Sequence, residues 1–178
     1  ASQGFTGLWL IGLWERSEAS KSIKRMRGNT EADASAYALY DYQISWKFGG
    51  EDALQNLRER TRKRGIRLAA DMVPNHFGLD SRWMGDHPER FLRSPDCPFP
   101  GYSFTGANLS SDSRFQVYLE DGYWNETDAA VVFKRVDSHS GATDYIYHGN
   151  DGTQMPWNDT AQLDYSNAHV REAVIQVI

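Results

Sequence analysis

A chain of 178 residues that is 40% hydrophobic and 13% aromatic holds enough apolar material for a real core. Its formal net charge of -5 gives no electrostatic footprint for nucleic acid or an anionic membrane surface, and no apolar run approaches the roughly 20 residues of a membrane span. The single cysteine, Cys97, excludes an intrachain disulfide framework and cannot by itself make a zinc site.

The first element in chain order is "GFTGLWLIGLW", Gly4 to Trp14, a short apolar run behind a glycine. This is the pattern of a strand buried on both faces, as in a parallel sheet. Glu51 to Arg64 reads as a helix: Glu51 and Asp52 lie in its first turn, Leu54 and Leu57 face inward, the cations Arg62 to Arg64 close it, and Gly65 follows as the cap. The basic run 58–67 is then the solvated face and last turn of that helix. A second apolar strand covers Ile66 to Val73, so helix, glycine and strand make half of a βαβ unit.

Residues 77–163 change character, with many Asp, Ser, Gly, Pro and aromatic residues and no long amphipathic helix. Within them Phe115 to Asp121, Ala129 to Val136 and Thr143 to Gly149 read as strands, the last two joined by a turn at Ser140 and Gly141. A segment of this length is too long for an ordinary loop, so it is a functional excursion or a subdomain. The last stretch, "AHVREAVIQVI", spaces Val170, Ala173, Val174, Val177 and Ile178 along one helical face. It closes without a cap or a polar tail, the expectation for a piece of a longer protein. The N-terminus lacks the basic-then-apolar plan of a signal peptide, so the sequence reads as a soluble protein, cytoplasmic rather than secreted.

The chemistry gathers where the second strand ends. "GIRLAADMVPNH" closes on Asp71, Asn75 and His76, with Pro74 breaking the strand pairing so that the chain turns outward. Polar groups at the carboxyl end of a parallel strand are where α/β folds place their sites. Spacing alone leaves open whether Asp71 and Asn75 do more than cap a strand-to-loop turn. Aromatic residues, Tyr37 and Trp157 among them, can stack on the apolar face of a sugar ring, although most such residues belong to a core.

"GIRLAADMVPNH" resembles the segment of the α-amylase family (glycoside hydrolase family 13) that ends its third barrel strand in Asp-x-Val-x-Asn-His. "GFTGLWL" resembles the family's second strand, "AYALYDYQISWKFGG" its approach to the third helix, and "QLDYSN" its short motif at the end of the inserted domain B. The resemblance implies an α/β fold class: a partial (β/α)8 TIM barrel fragment with an inserted small β-rich domain B. Residues 1–76 would be partial barrel, 77–163 the insertion, and 164–178 the start of the next barrel helix.

Carried over residue by residue, the resemblance makes His76 and Tyr37 substrate-binding, the first by hydrogen bonds to the sugar and the second by stacking on it. Asp71 would orient neighbours inside the barrel, Asp41 and Tyr42 would form a structural pair, and Asn75 would bind a structural calcium. Two departures stand against full agreement. Ala38 occupies a position where some α-glucoside-acting members carry a sugar-binding Asp, and Gln162 one where many carry a calcium-binding Asp. Calcium needs several oxygen ligands with carboxylate charge, which Asn75 alone does not supply.

The implied activity is retaining hydrolysis or transglycosylation of α-glucans or α-glucosides, with no catalytic residue in this chain and the catalytic carboxylates expected beyond Ile178. The isolated chain would be inactive, and its partners would be a carbohydrate substrate and the rest of the parent barrel. Two alternatives remain: a non-catalytic carbohydrate-binding or scaffold protein, and a metal-dependent domain built on Asp71, His76, His87 and His148.

Overall fold

A computed structural model describes residues 4–127, 130–152 and 155–177. The first part of the chain runs through β1 (Gly7–Leu10), β2 (Trp14–Arg16), α1 (Glu18–Met26), β3 (Leu39–Ile44), α2 (Gly50–Arg62) and β4 (Arg67–Ala70). Strands β1 and β4 pair in parallel, Gly7 opposite Arg67 and Leu10 opposite Ala70. A parallel pair needs a crossover, and α2 supplies its helical part. Leu54 and Leu57 of α2 are half-buried and Thr61 completes their stripe, while the Arg-rich side faces solvent. β2 and β3 form a separate antiparallel pair.

The second part contains β5 (His76–Gly78), α3 (Arg82–Asp86), β6 (Arg93–Ser94), β7 (Phe115–Tyr118), α4 (Asp121–Trp124), β8 (Val132–Asp137), β9 (Thr143–Gly149), β10 (Trp157–Gln162) and α5 (Ala168–Ile175). Five of these strands lie in the order β5-β10-β9-β8-β7, and β6 pairs with the side of β9. Asp137 accepts from the backbone N–H groups of His139 and Ser140, which closes the β8–β9 turn at Ser140 and Gly141. The core is centred on this sheet, with Phe77, Phe91, Phe115 and Phe133 fully enclosed. Each such side chain contributes about 1.5–3 kcal/mol of burial energy. Ala19 and Ile23 of α1 and Val170 and Val174 of α5 join the same cluster.

Two elements are joined by a buried polar clasp. The Ser17 hydroxyl, which caps α1, donates to Asp80 Oδ1 at 2.5 Å, and the Ala19 N–H donates to Asp80 Oδ2 at 3.0 Å. Burial pushes the Asp80 carboxyl above its ordinary pKa despite these donors.

Several expectations are corrected. The run from Gly4 to Trp14 is broken into β1 and β2 at Gly12, whose φ of 70° suits glycine. Its strand is not buried: Phe5, Trp9 and Ile11 are exposed, because β1 pairs with β4 alone among the described residues. β4 is likewise shorter than Ile66 to Val73, and β7 ends at Tyr118 because Glu120 caps a helical turn. The expected strand start at Ala129 and the helix-face residue Ile178 lie outside the described residues. Strands β3, β5 and β10 were not expected at all. Among the described residues no helix is long and apolar enough to cross a membrane.

Candidate functional site

Asp71 follows β4 and ties its end to the neighbouring strand. Its Oδ1 accepts from the Gly12 N–H at 3.1 Å, and its carbonyl accepts from Trp14 Nε1 at 3.0 Å. Asp71 Oδ2 is buried with no hydrogen-bond partner among the described residues. Tyr42 packs edge-on against Trp14 and Phe77, and its hydroxyl accepts from the Val73 N–H at 2.9 Å. Burial pushes its phenol up to about 12. Asp41 accepts from Arg82 at 3.0 Å and from the Tyr42 N–H. These three residues hold the strand end and the following loop in place.

Four residues beyond Asp71, Asn75 and Gln162 clasp each other. Gln162 Nε2 donates to Asn75 Oδ1 and to the Asn75 carbonyl, both at 3.0 Å. Gln162 Oε1 accepts from the Asn150 N–H at 3.0 Å and from Asn75 Nδ2 at 3.3 Å. The amide oxygens that could face a cation are thus already occupied by N–H donors, and no carboxylate joins them. No three His, Cys, Asp or Glu side chains among the described residues could share a metal ion. This donor set does not fit calcium, which needs several oxygens and negative charge. The same finding separates the four residues of the metal-dependent alternative: His87 is exposed beside Glu89, while His148 is enclosed in the sheet.

His76 starts β5 and is 6% exposed. Its Nε2–H donates to the Tyr37 carbonyl at 3.1 Å, since a carbonyl can only accept. Its Nδ1 is then the acceptor, 3.2 Å from Asn75 Nδ2. Both ring nitrogens are therefore engaged within the protein. Desolvation lowers the imidazole pKa, so the ring is neutral at pH 7. Close packing fixes the ring's position: a Cβ added at Gly149 would lie 3.1 Å from the His76 ring and 2.3 Å from Thr160 Oγ1.

His76 and Tyr37 share a cavity of about 550 Å³. Met72, Val73 and Pro74 give it an apolar floor at the end of β4, and Trp157, Asp159 and Thr160 of β10 form the opposite wall. The Trp157 and His76 rings are 5.0 Å apart, and Tyr37 is half exposed. Aromatic walls with a few polar groups suit a ligand that has both apolar faces and hydroxyl edges. Sequence reasoning named Trp157 only as one aromatic among many and did not name Asp159. "WNDTAQ" is too polar to advertise a strand; once it is one, an irregularity in its pairing between Trp157 and Ala161 accompanies Trp157, Asp159 and Thr160 all lining the cavity.

The family model described as "Alpha amylase, catalytic domain" matches residues 2–178. Trehalose synthase/amylase TreS of Mycobacterium tuberculosis is 26% identical over 141 residues, which cover 77% of this chain and 20% of that protein. The maltogenic α-amylase AmyB of Thermotoga neapolitana superposes with a TM-score of 0.55 at 19% identity, over 98% of this chain and 27% of that one. The isomaltulose synthase PalI of Klebsiella sp. LX3 gives a TM-score of 0.53 at 18% identity, over 99% of this chain and 26% of that one. The chain therefore has the fold of part of a (β/α)8 barrel with its β-rich insertion, and spans about a fifth of the curated relative's length.

Proposed function

The chain belongs to the α-amylase catalytic-domain family, and from that premise we propose that it is the sugar-binding part of a retaining glycoside hydrolase or transglycosylase acting on α-glucans or α-glucosides. The observation that carries this reading is the cavity in which Tyr37, His76 and Trp157 meet at the end of a parallel strand. Tyr37 and Trp157 offer ring faces to the apolar side of a sugar. His76, neutral and hydrogen-bonded to the Tyr37 carbonyl, holds that wall in register and lines the cavity beside it. Asp71, Asp41 and Tyr42 support the strand end. Residues 1–76 belong to the barrel, 77–163 to the insertion and 164–178 to the next barrel helix.

Retaining hydrolysis needs two carboxyl groups about 5–5.5 Å apart. Among the described residues the cavity contains one carboxylate, Asp159. On this reading the chain by itself is inactive, and the reacting carboxylates come from other parts of the protein. Full-length protein carrying this chain is expected to turn over α-glucosides or maltooligosaccharides, with His76→Ala weakening kcat/KM at least tenfold. Turnover by the 178-residue chain alone, abolished by His76→Ala, would refute the assignment of the chemistry elsewhere. A lone carboxylate in an aromatic cavity also suits pure carbohydrate binding. Full-length protein that binds maltotriose without cleaving or transferring it would favour that second reading.

A further inference from the structure

Hydroxyl-rich ligands are selected by acceptors and donors that have unused hydrogen-bonding capacity, and the cavity can be searched for them atom by atom. The His76 nitrogens are both committed to the protein. The Thr160 hydroxyl donates to the Trp157 carbonyl at 2.8 Å and is buried. Ser35 Oγ accepts from the Tyr37 N–H at 3.2 Å. Asp159 is the one carboxylate among the described lining residues. Its Oδ2 accepts from the Ser20 hydroxyl at 2.6 Å, while Oδ1 has no hydrogen-bond partner among the described residues. Among the described residues no Lys or Arg forms an ion pair with it, and none of those lining the cavity is a Lys or Arg.

The side chain is also held. Ser20 Oγ, which donates to Asp159, accepts from the Ser35 N–H at 3.0 Å, so one hydroxyl ties β10 to the segment that carries Tyr37. Trp157 lies two residues earlier in β10 and lines the same cavity. A carboxylate fixed through one oxygen, in a cavity that Trp157 and Tyr37 also line, is a pre-organised acceptor for hydroxyl donors. Such charge-assisted bonds are stronger than neutral ones and need little reordering of the side chain on binding.

We propose that Asp159 is the specificity-determining acceptor of this cavity, its Oδ1 receiving hydrogen bonds from hydroxyl groups of the glucosyl unit that lies against Trp157 and Tyr37. This rests on the carbohydrate reading given above and goes beyond it by naming the atom that chooses the sugar. Ser20 is a positioning residue, acting through Asp159.

The test uses the full-length protein carrying this chain, with wild type, Asp159→Asn, Asp159→Ala and Ser20→Ala compared on 4-nitrophenyl α-D-glucopyranoside and on maltotriose. Monodeoxy analogues of the better substrate, lacking one hydroxyl at a time, complete the set. Asp159→Asn keeps an oxygen for Ser20 and so preserves the fold, which the thermal midpoint checks. Expected is a loss of about 10- to 100-fold in kcat/KM for Asp159→Asn on the parent sugar. On the deoxy analogue lacking the contacted hydroxyl, wild type and variant should become equal. Ser20→Ala should produce a smaller loss with the same deoxy pattern, which a purely structural role for Asp159 would not give.

Wild type active, with the Asp159→Asn penalty uniform across all analogues or absent, overturns the proposal and leaves the carbohydrate reading standing. Wild type that neither binds nor turns over any of these sugars overturns both.

Discussion

His148 should make the fold sensitive to mild acid. It lies in β9 with 3% of its surface exposed, its ring 5.1 Å from that of Phe133. Nδ1 donates to the Thr160 carbonyl at 3.0 Å, and Nε2 is buried with no partner among the described residues. Desolvation lowers the imidazole from its ordinary 6.5 to about 4, with the Thr160 bond opposing only part of that effect. Above pH 6.5 the ring is neutral whether the chain is folded or not, and stability is independent of this group. As pH falls from 6.5 towards 4 the unfolded chain takes up a proton that the folded chain refuses, so stability is lost. At about 1.4 kcal/mol per pH unit the loss is about 2 kcal/mol at pH 5 and about 3 kcal/mol at pH 4. His76, also lowered by burial, acts in the same direction. Asp80, raised by burial, acts in the opposite one.

The His148→Phe variant isolates the term. It loses the bond to Thr160, an offset of about 1–2 kcal/mol at every pH, but keeps an aromatic ring and cannot titrate. Urea unfolding followed by tryptophan fluorescence at pH 7.5, 6.0 and 5.0 reads the difference. With a urea slope of about 2 kcal/mol/M, the wild-type midpoint should fall by about 1 M more than the variant's between pH 7.5 and 5.0. Equal falls in the two proteins would refute the argument that a neutral, desolvated His148 is required for folding.

Other consequences follow from the same packing. Calcium and chelators should leave the wild-type thermal midpoint unchanged within error, because the Asn75 and Gln162 amides satisfy each other; a calcium-dependent rise of several degrees would show that the clasp opens for the ion. Gln162→Ala, which strands the Asn75 groups and the Asn150 N–H, should cost about 2–3 kcal/mol in urea unfolding, irrespective of calcium. Gly149→Ala should destabilise by about 1–3 kcal/mol and disturb the His76 ring resonances in a heteronuclear spectrum, since the new methyl meets Thr160 and His76; a neutral variant would mean that β9 shifts freely. Asp80→Ala should cost about 2–4 kcal/mol by leaving Ser17 and the Ala19 N–H without their acceptor, measured by calorimetry.

Much of the architecture is visible in local pattern. The charge order from Glu51 to Arg64 and the glycine after it mark α2, whose ends are set by the dipole and by capping. The alternation in "TDYIYHG" marks β9, whose bounds match the run Thr143 to Gly149. The spacing of Val170, Ala173, Val174 and Val177 marks the inward side of α5. β10 leaves no such trace. "WNDTAQ" is assembled by pairing with β5 and β9, and its polar side chains find partners on α1, within β10 and at Asn75.

The sequence by itself determined the strand that leads into Asp71, Asn75 and His76, the helix before it and the family resemblance, because each is written in residues close together in the chain. Tertiary structure decided what those residues face. It spent both nitrogens of His76 on Tyr37 and Asn75, closed Asn75 against Gln162 87 residues away, and brought Trp157 and Asp159 across from β10 to complete the cavity. Periodicity reports the face a side chain shares with its neighbours in sequence; hydrogen-bond partners and cavity walls come from segments whose distance along the chain carries no local signal.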